Sequence, residues 1–180
     1  MMKTSALFFL VFSSIFLCRN ISSQTYNCPT NSSCGCSAQA AVLTKIVGGE
    51  SARSQTWGWA VSIRRRSTNS HFCGGSIISA QHVLTAAHCV VGLTSSSILV
   101  YVGSIYLSLT VQVRDVAAIH SHPSYNPTTF TDDIAILKVS SPFVLSQLGV
   151  DMVCLPNISS AVLAAGEYPG ANTNVMSWSI

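Results

Sequence analysis

The chain is 180 residues long, 48% hydrophobic but only 8% charged, with a formal net charge of +3. That length suits one domain, or part of a larger protein. Its one basic cluster, Arg64-Arg65-Arg66, reads as the solvated tip of a polar hairpin loop, so nucleic acid is not an expected partner.

The first segment has Lys3, an apolar stretch from Ala6 to Leu17 and small polar residues around Ser22 and Ser23. This is the layout of a secretory signal peptide over residues 1–23, with cleavage between Asn20 and Gln24. The stretch is broken by Ser13 and Ser14 and is short for a bilayer span; a signal-anchor is the alternative reading. No later apolar run approaches membrane length, so the expectation is a secreted, extracellular protein with no membrane partner.

Residues 24–45 are polar, with Pro29, Gly35 and three cysteines. Such a composition gives an irregular leader tethered by disulfides. With Cys18 assigned to the signal, Cys28, Cys34, Cys36, Cys73, Cys89 and Cys154 remain. An even set behind a signal peptide argues for disulfides in an oxidising compartment. Six cysteines allow fifteen pairings, and the sequence does not choose among them. A zinc reading of Cys28, Cys34 and Cys36 lacks a second ligand pair at finger spacing, so no metal is expected there. Asn31-Ser32-Ser33 and Asn157-Ile158-Ser159 are glycan acceptors, whereas Asn126 is excluded by Pro127. Glycans at Asn31 and Asn157 would offset the sparse surface charge.

From Ile46 the texture changes to short apolar runs between turn residues. Strands are expected over 59–63, 76–79, 82–85, 98–102, 107–113, 116–119 and 134–139, with one helical turn over 86–91. Many short strands rich in β-branched residues argue for an all-β barrel or sandwich. No stable element is expected over 166–180, which Pro169 and Gly170 interrupt.

The chemistry concentrates in two places. Leu84-Thr85-Ala86-Ala87-His88-Cys89 ends a strand on a His followed at once by Cys. That order makes sense if a disulfide pins the turn while the His is held rigid as a base. Forty-five positions later, Thr131-Asp132-Asp133-Ile134-Ala135-Ile136-Leu137 sets a carboxylate at the mouth of an apolar strand. A His base and an Asp orienter are two members of a serine-protease triad; on the residues alone, Asp132 and Asp133 compete for the second role. His82 reads as a packing residue. His120-Ser121-His122 could hold a metal, but a turn leading into Pro123 explains it better. Gly75-Ser76 and Gly103-Ser104 are the only Gly-Ser pairs, and neither has the context of a nucleophile.

Six motifs in order carry a family resemblance: Lys45-Ile46-Val47-Gly48-Gly49, Cys73-Gly74-Gly75-Ser76-Ile77-Ile78, Leu84 to Cys89, His122-Pro123-Ser124-Tyr125-Asn126, Asp133-Ile134-Ala135-Ile136-Leu137 and Val153-Cys154-Leu155-Pro156. Together they resemble secreted trypsin/chymotrypsin-like serine proteases, over about residues 45–156. The resemblance implies an all-β fold, the first of that family's two antiparallel β-barrels, with the second barrel missing. Residues 24–45 would be a propeptide, 46–165 the first barrel and 166–180 a truncated start of the second. Val175-Met176-Ser177-Trp178-Ser179 stands where relatives have a Gly-Trp-Gly turn, keeping the Trp and losing both glycines.

The same resemblance assigns His88 as general base and Asp133, directly before Ile-Ala-Ile-Leu, as its orienter. It implies a Cys73–Cys89 bridge, and Cys154 as the cysteine that tethers the leader. Cys36 is its preferred partner, leaving Cys28–Cys34 as a local loop. Lys45-Ile46 resembles a zymogen cleavage site, which implies an activating protease. A protein or peptide is the implied substrate, and no cofactor is expected. No Gly-Asp-Ser-Gly-Gly segment occurs in the chain, so the 180 residues are expected to be inactive by themselves. The alternatives are a secreted, non-catalytic homologue acting as a binding module, or a non-functional product.

Overall fold

The computed structural model describes residues 24–26, 33–36, 41–43 and 52–155. The signal segment 1–23, Cys28, Asn31, the Lys45-Ile46 bond, Asn157 and the stretch 166–180 lie outside the described residues.

Within residues 24–45, β1 (Gln24–Tyr26) and β2 (Ala41–Leu43) pair antiparallel, with Thr25 opposite Val42. These residues are therefore not irregular, as their composition suggests. Three-residue strands are too short to reveal a period of two, which is why the sequence pattern misses them.

Six further strands form a closed barrel: β3 (Ala60–Arg65), β4 (His71–Ser79), β5 (His82–Thr85), β6 (Ile98–Val102), β7 (Gln112–Ser121) and β8 (Ala135–Val139). Their order around the ring is β3-β4-β5-β8-β7-β6. All neighbours run antiparallel, and β3 closes the ring by pairing with both β4 and β6. Closure leaves no sheet edge to attract another chain. The interior follows from alternation: Ile98, Val100 and Val102 of β6 and Ala135, Leu137 and Val139 of β8 all point inward and are buried. Val61, Ile63, Ile77 and Val83 fill the space between them.

Two expectations change. The runs 107–113 and 116–119 do not form separate strands; one ten-residue strand, β7, spans Gln112–Ser121. A register shift between Val116 and Ala118 lets the ladder continue along β8. Residues 103–111 form a loop in which Leu109 is exposed, so the apolar Leu107 and Leu109 gave a false strand signal. Second, Arg64 is not part of a solvated tip. It lies in β3 and is only 7% exposed. Its guanidinium stacks 4.1 Å from the Tyr101 ring centroid and donates to the Ser62 hydroxyl and the Leu107 carbonyl. An alkyl stem and a flat, weakly hydrated head allow that burial when the donors are satisfied.

Gly75 brings β5 close to β4. A Cβ there would stand 2.8 Å from the Leu84 carbonyl oxygen and 2.9 Å from Val83 Cγ1, so any side chain would push β5 outward. β5 is the strand that leads into the short helix α1 (Ala87–Val90).

Candidate functional site

Antiparallel pairing decides where the chemistry sits. β5 ends at Thr85 and β8 begins at Ala135, and these two residues face each other in register. The residues just after β5 and just before β8 therefore meet at one rim of the barrel, although 45 positions separate His88 from Asp133.

At that rim the chain turns from β5 into α1. Ala87 and Val90 are buried and hold the turn against the core. The Cys73–Cys89 disulfide, which spans a sequence separation of 16, ties it to β4. A loop of that size stabilises by about 3 kcal/mol in the chain-entropy account. With both sides fixed, His88 projects outward with its side chain 49% exposed.

Asp133 meets His88 at two points. The His88 backbone N–H donates to Asp133 Oδ1 at 2.8 Å, and the ring Nδ1 lies 2.6 Å from Oδ2. An ionised carboxylate can only accept, so Nδ1 carries a proton, and in the neutral imidazole Nε2 keeps its lone pair. The His88 ring hydrogen bond holds the Asp133 carboxyl below the usual carboxylate range. The His88 backbone N–H, its charge and the Ala87 N–H add to the effect, while partial burial opposes it. By accepting from the His88 backbone N–H, Asp133 also caps a helix whose own N-cap, Ala86, offers no side-chain bond.

Asp132 is turned elsewhere. It has a left-handed backbone (φ 54°) and stands 4.0 Å from His122 Nδ1. That separates the two carboxylates that sequence alone leaves in competition.

Two aromatic neighbours, Phe130 and the Tyr125 of the His122-to-Asn126 motif, were given no role from the sequence. The Phe130 ring meets His88 edge-on with centroids 6.2 Å apart, yet is 59% exposed. The Tyr125 phenol ionises above its usual range, first through burial and then through the negative Asp133 nearby. A lone aromatic among the threonines of 128–131 was the available signal for Phe130.

The other candidates fall outside this cluster. Ser76 lies within β4, opposite Ala60 and Leu84. The Ser104 hydroxyl is engaged with the Tyr106 backbone at 3.0 Å. His82 pairs with Ser79 at 2.9 Å, and His122 accepts from the Ser124 N–H at 3.3 Å in the turn after Pro123. Among the described residues, no serine hydroxyl bonds to His88.

The leader pairing needs correction. Cys154 is bonded to Cys34, not Cys36. Cys36 is itself in a disulfide, and the expected Cys28–Cys34 loop is ruled out because Cys34 is taken. The Gly35 N–H donates to the Met152 carbonyl at 2.7 Å, and Gly35 packs against Cys154 Sγ. This backbone contact sets the register and brings Cys34 to Cys154, two residues from the Cys36 that the resemblance favours.

Comparison with known proteins gives a consistent result. A family model described as Trypsin matches residues 46–172. The chain is 36% identical over 129 residues to Trypsin alpha of Drosophila erecta, covering 72% of this chain and 49% of that protein. It is 37% identical over 133 residues to Chymotrypsin-C of Mus musculus, covering 69% and 47% respectively. The solved structure of a scabies mite inactivated protease paralogue, S-D1, superposes with a TM-score of 0.50 at 31% identity, over 55% of this chain and 41% of that one. The chain thus spans about half the length of these two curated relatives.

Proposed function

This chain belongs to the trypsin family of serine proteases, and from that premise we propose that it carries the base-and-orienter half of a secreted serine endopeptidase. His88 takes the proton from a serine hydroxyl through Nε2 and returns it to the leaving amine. Asp133 fixes the tautomer and stabilises the imidazolium that forms. One observation carries the reading: Asp133 grips both the ring and the backbone N–H of His88. Two contacts set the ring's position and its protonation together, which is what a general base requires.

Among the described residues no serine hydroxyl bonds to His88, and we take the nucleophile, the oxyanion donors and the substrate pocket to come from elsewhere. We therefore expect the 180 residues alone to give no peptide hydrolysis; loss of the nucleophile alone lowers kcat about a million-fold in a well-studied serine protease. Residues 1–23 act as a secretion signal and 24–45 as a propeptide. An activating protease that cuts after Lys45 frees Ile46, while the Cys34–Cys154 bond keeps the leader attached. Substrates are proteins or peptides.

The test is a chimera in which residues 46–155 replace the matching half of a trypsin relative. Measurable amidolysis that disappears with His88→Ala supports the catalytic reading. A folded but inert chimera overturns it in favour of a non-catalytic binding module. That second reading draws on the similarity to the inactivated paralogue, but the intact His88–Asp133 geometry weighs against it.

A further inference from the structure

We propose that His88, Cys73 and Cys89 form a redox-gated binding site for a thiophilic divalent cation of the Zn2+ class, closed while the Cys73–Cys89 disulfide is intact and opened by its reduction. Among the described residues these are the one group whose ligand atoms converge, all lying within 4.8 Å of one another. His88 Nε2 stands 3.5 Å from Cys89 Sγ. A tetrahedral zinc, with Zn–S of about 2.3 Å and Zn–N of about 2.0–2.1 Å, sets S···N near roughly 3.6 Å and S···S near roughly 3.8 Å. The imidazole is therefore already at ligand distance from one sulfur. The second sulfur needs only to swing away from the first, across Cα atoms 6.1 Å apart.

The surroundings favour the metal for a separate reason. A metal-bound histidine usually donates its other ring N–H to a carboxylate, which fixes the tautomer and raises the ligand's basicity. Asp133 does this to Nδ1 at 2.6 Å, leaving the Nε2 lone pair beside the sulfurs. Cys73 and Cys89 are half-buried and His88 is exposed, so a reductant can reach the bond and water can take the fourth position.

The steps balance. A dithiol reductant attacks one sulfur of the Cys73–Cys89 bond as its thiolate and forms a mixed disulfide; its second thiol then displaces the protein sulfur. Two electrons and two protons pass to Cys73 and Cys89, and the reductant leaves as its own disulfide. Zn2+ then displaces the two thiol protons and binds two thiolates and neutral His88. The site stands whether or not His88 works as a base, because its readout is metal binding rather than hydrolysis.

The full chain, reduced with a dithiol and freed of it, is titrated anaerobically with Zn2+ alone, and Co2+ serves as the spectroscopic probe. We expect wild type to bind one more ion than Cys73→Ser/Cys89→Ser, with the thiolate-to-cobalt charge-transfer band of a tetrahedral site. Other reduced cysteines contribute equally to both chains. Asp133→Asn should weaken that ion about 10–100-fold, and His88→Ala should abolish it. Equal stoichiometry in wild type and the double variant overturns the proposal, as does binding indifferent to His88→Ala. A reduced chain that remains unfolded by circular dichroism in excess Zn2+ also overturns it.

Discussion

Leu137→Ala probes whether the barrel interior is packed as described and whether that packing holds Asp133. Leu137 lies at the centre of β8, fully buried, opposite Val83 of β5 and Ile119 of β7. The truncation removes three carbons, about 2.4 kcal/mol at about 0.8 kcal/mol each. Hydrogen-bonded ladders on both sides of β8 resist collapse into the space, so a cavity cost adds to this, for a total of about 3–5 kcal/mol. In a domain of this size that corresponds to a fall in Tm of about 12 °C or more. The assay is guanidinium unfolding of the disulfide-intact chain, with Val144→Ala as control. Val144 is 53% exposed, and its truncation should stay within about 0.5 kcal/mol. An unchanged m-value with a lower midpoint locates the loss in the native state. A loss below about 1 kcal/mol for Leu137→Ala would refute a close-packed interior.

Four other outcomes are expected. The folded Asp133 carboxyl ionises below its ordinary value of 3.8, so its contribution to stability is present above that pH and is lost as pH falls through the lower folded value; a carbon-13 titration inflecting at or above 3.8 would contradict the His88 contact. In the chimera, Asp133→Asn should lower kcat about 10,000-fold, the loss that the same exchange causes in a member of this family, whereas Asp132→Asn should leave kcat within a few-fold; equal effects would undo the assignment. At Gly58 a Cβ would stand 2.1 Å from the Gly149 carbonyl oxygen, so Gly58→Ala should destabilise by more than about 1 kcal/mol in the same denaturation assay, and a neutral result would mean that residues 149–151 do not pack there. Cutting after Lys45 should leave the leader bound to Cys36→Ser but release it from Cys34→Ser, as read by non-reducing mass spectrometry; the reverse would restore the Cys36–Cys154 pairing.

The barrel was legible because its inward positions are apolar at a period of two, as in Ile98, Val100 and Val102 of β6 and Ala135, Leu137 and Val139 of β8, and no helical period competes. His88 and Asp133 were legible because each motif ties a functional residue to a structural constraint, a disulfide in one case and a strand mouth in the other. What could not be read depends on non-local fit. Leu107 and Leu109 are as apolar as strand residues, and only the closure of β7 against β6 places them in a loop. Arg64 carries a charge that composition assigns to solvent, whereas Tyr101 and the Leu107 carbonyl, 37 and 43 positions away, give it a buried seat. Cys34 and Cys36 are indistinguishable by spacing; the hydrogen bond from Gly35 to Met152 chooses between them.

The link from sequence to chemistry runs through the β5–β8 pairing. Two groups 45 positions apart would lose a large loop-closure entropy if they had to meet for their own contact alone. Here the barrel brings them together in advance: four residues of β5 pair with four of β8, from His82↔Lys138 to Thr85↔Ala135. That ladder is held by Val83 and Leu137, which are both fully buried and directly opposite. A slip of one residue would turn both side chains outward and expose apolar surface, so burial enforces the register that aligns His88 with Asp133. Residues 103–111, in the middle of the intervening chain, can change length without touching that register, because they join β6 to β7 and take no part in the β5–β8 ladder. A single inserted residue at Ile134 would act differently. It would leave the barrel ladder intact but shift Asp133 by one position against a His88 pinned through Cys89. The chimera should then retain its fold and lose amidolysis, separating the contribution of the site from that of the scaffold.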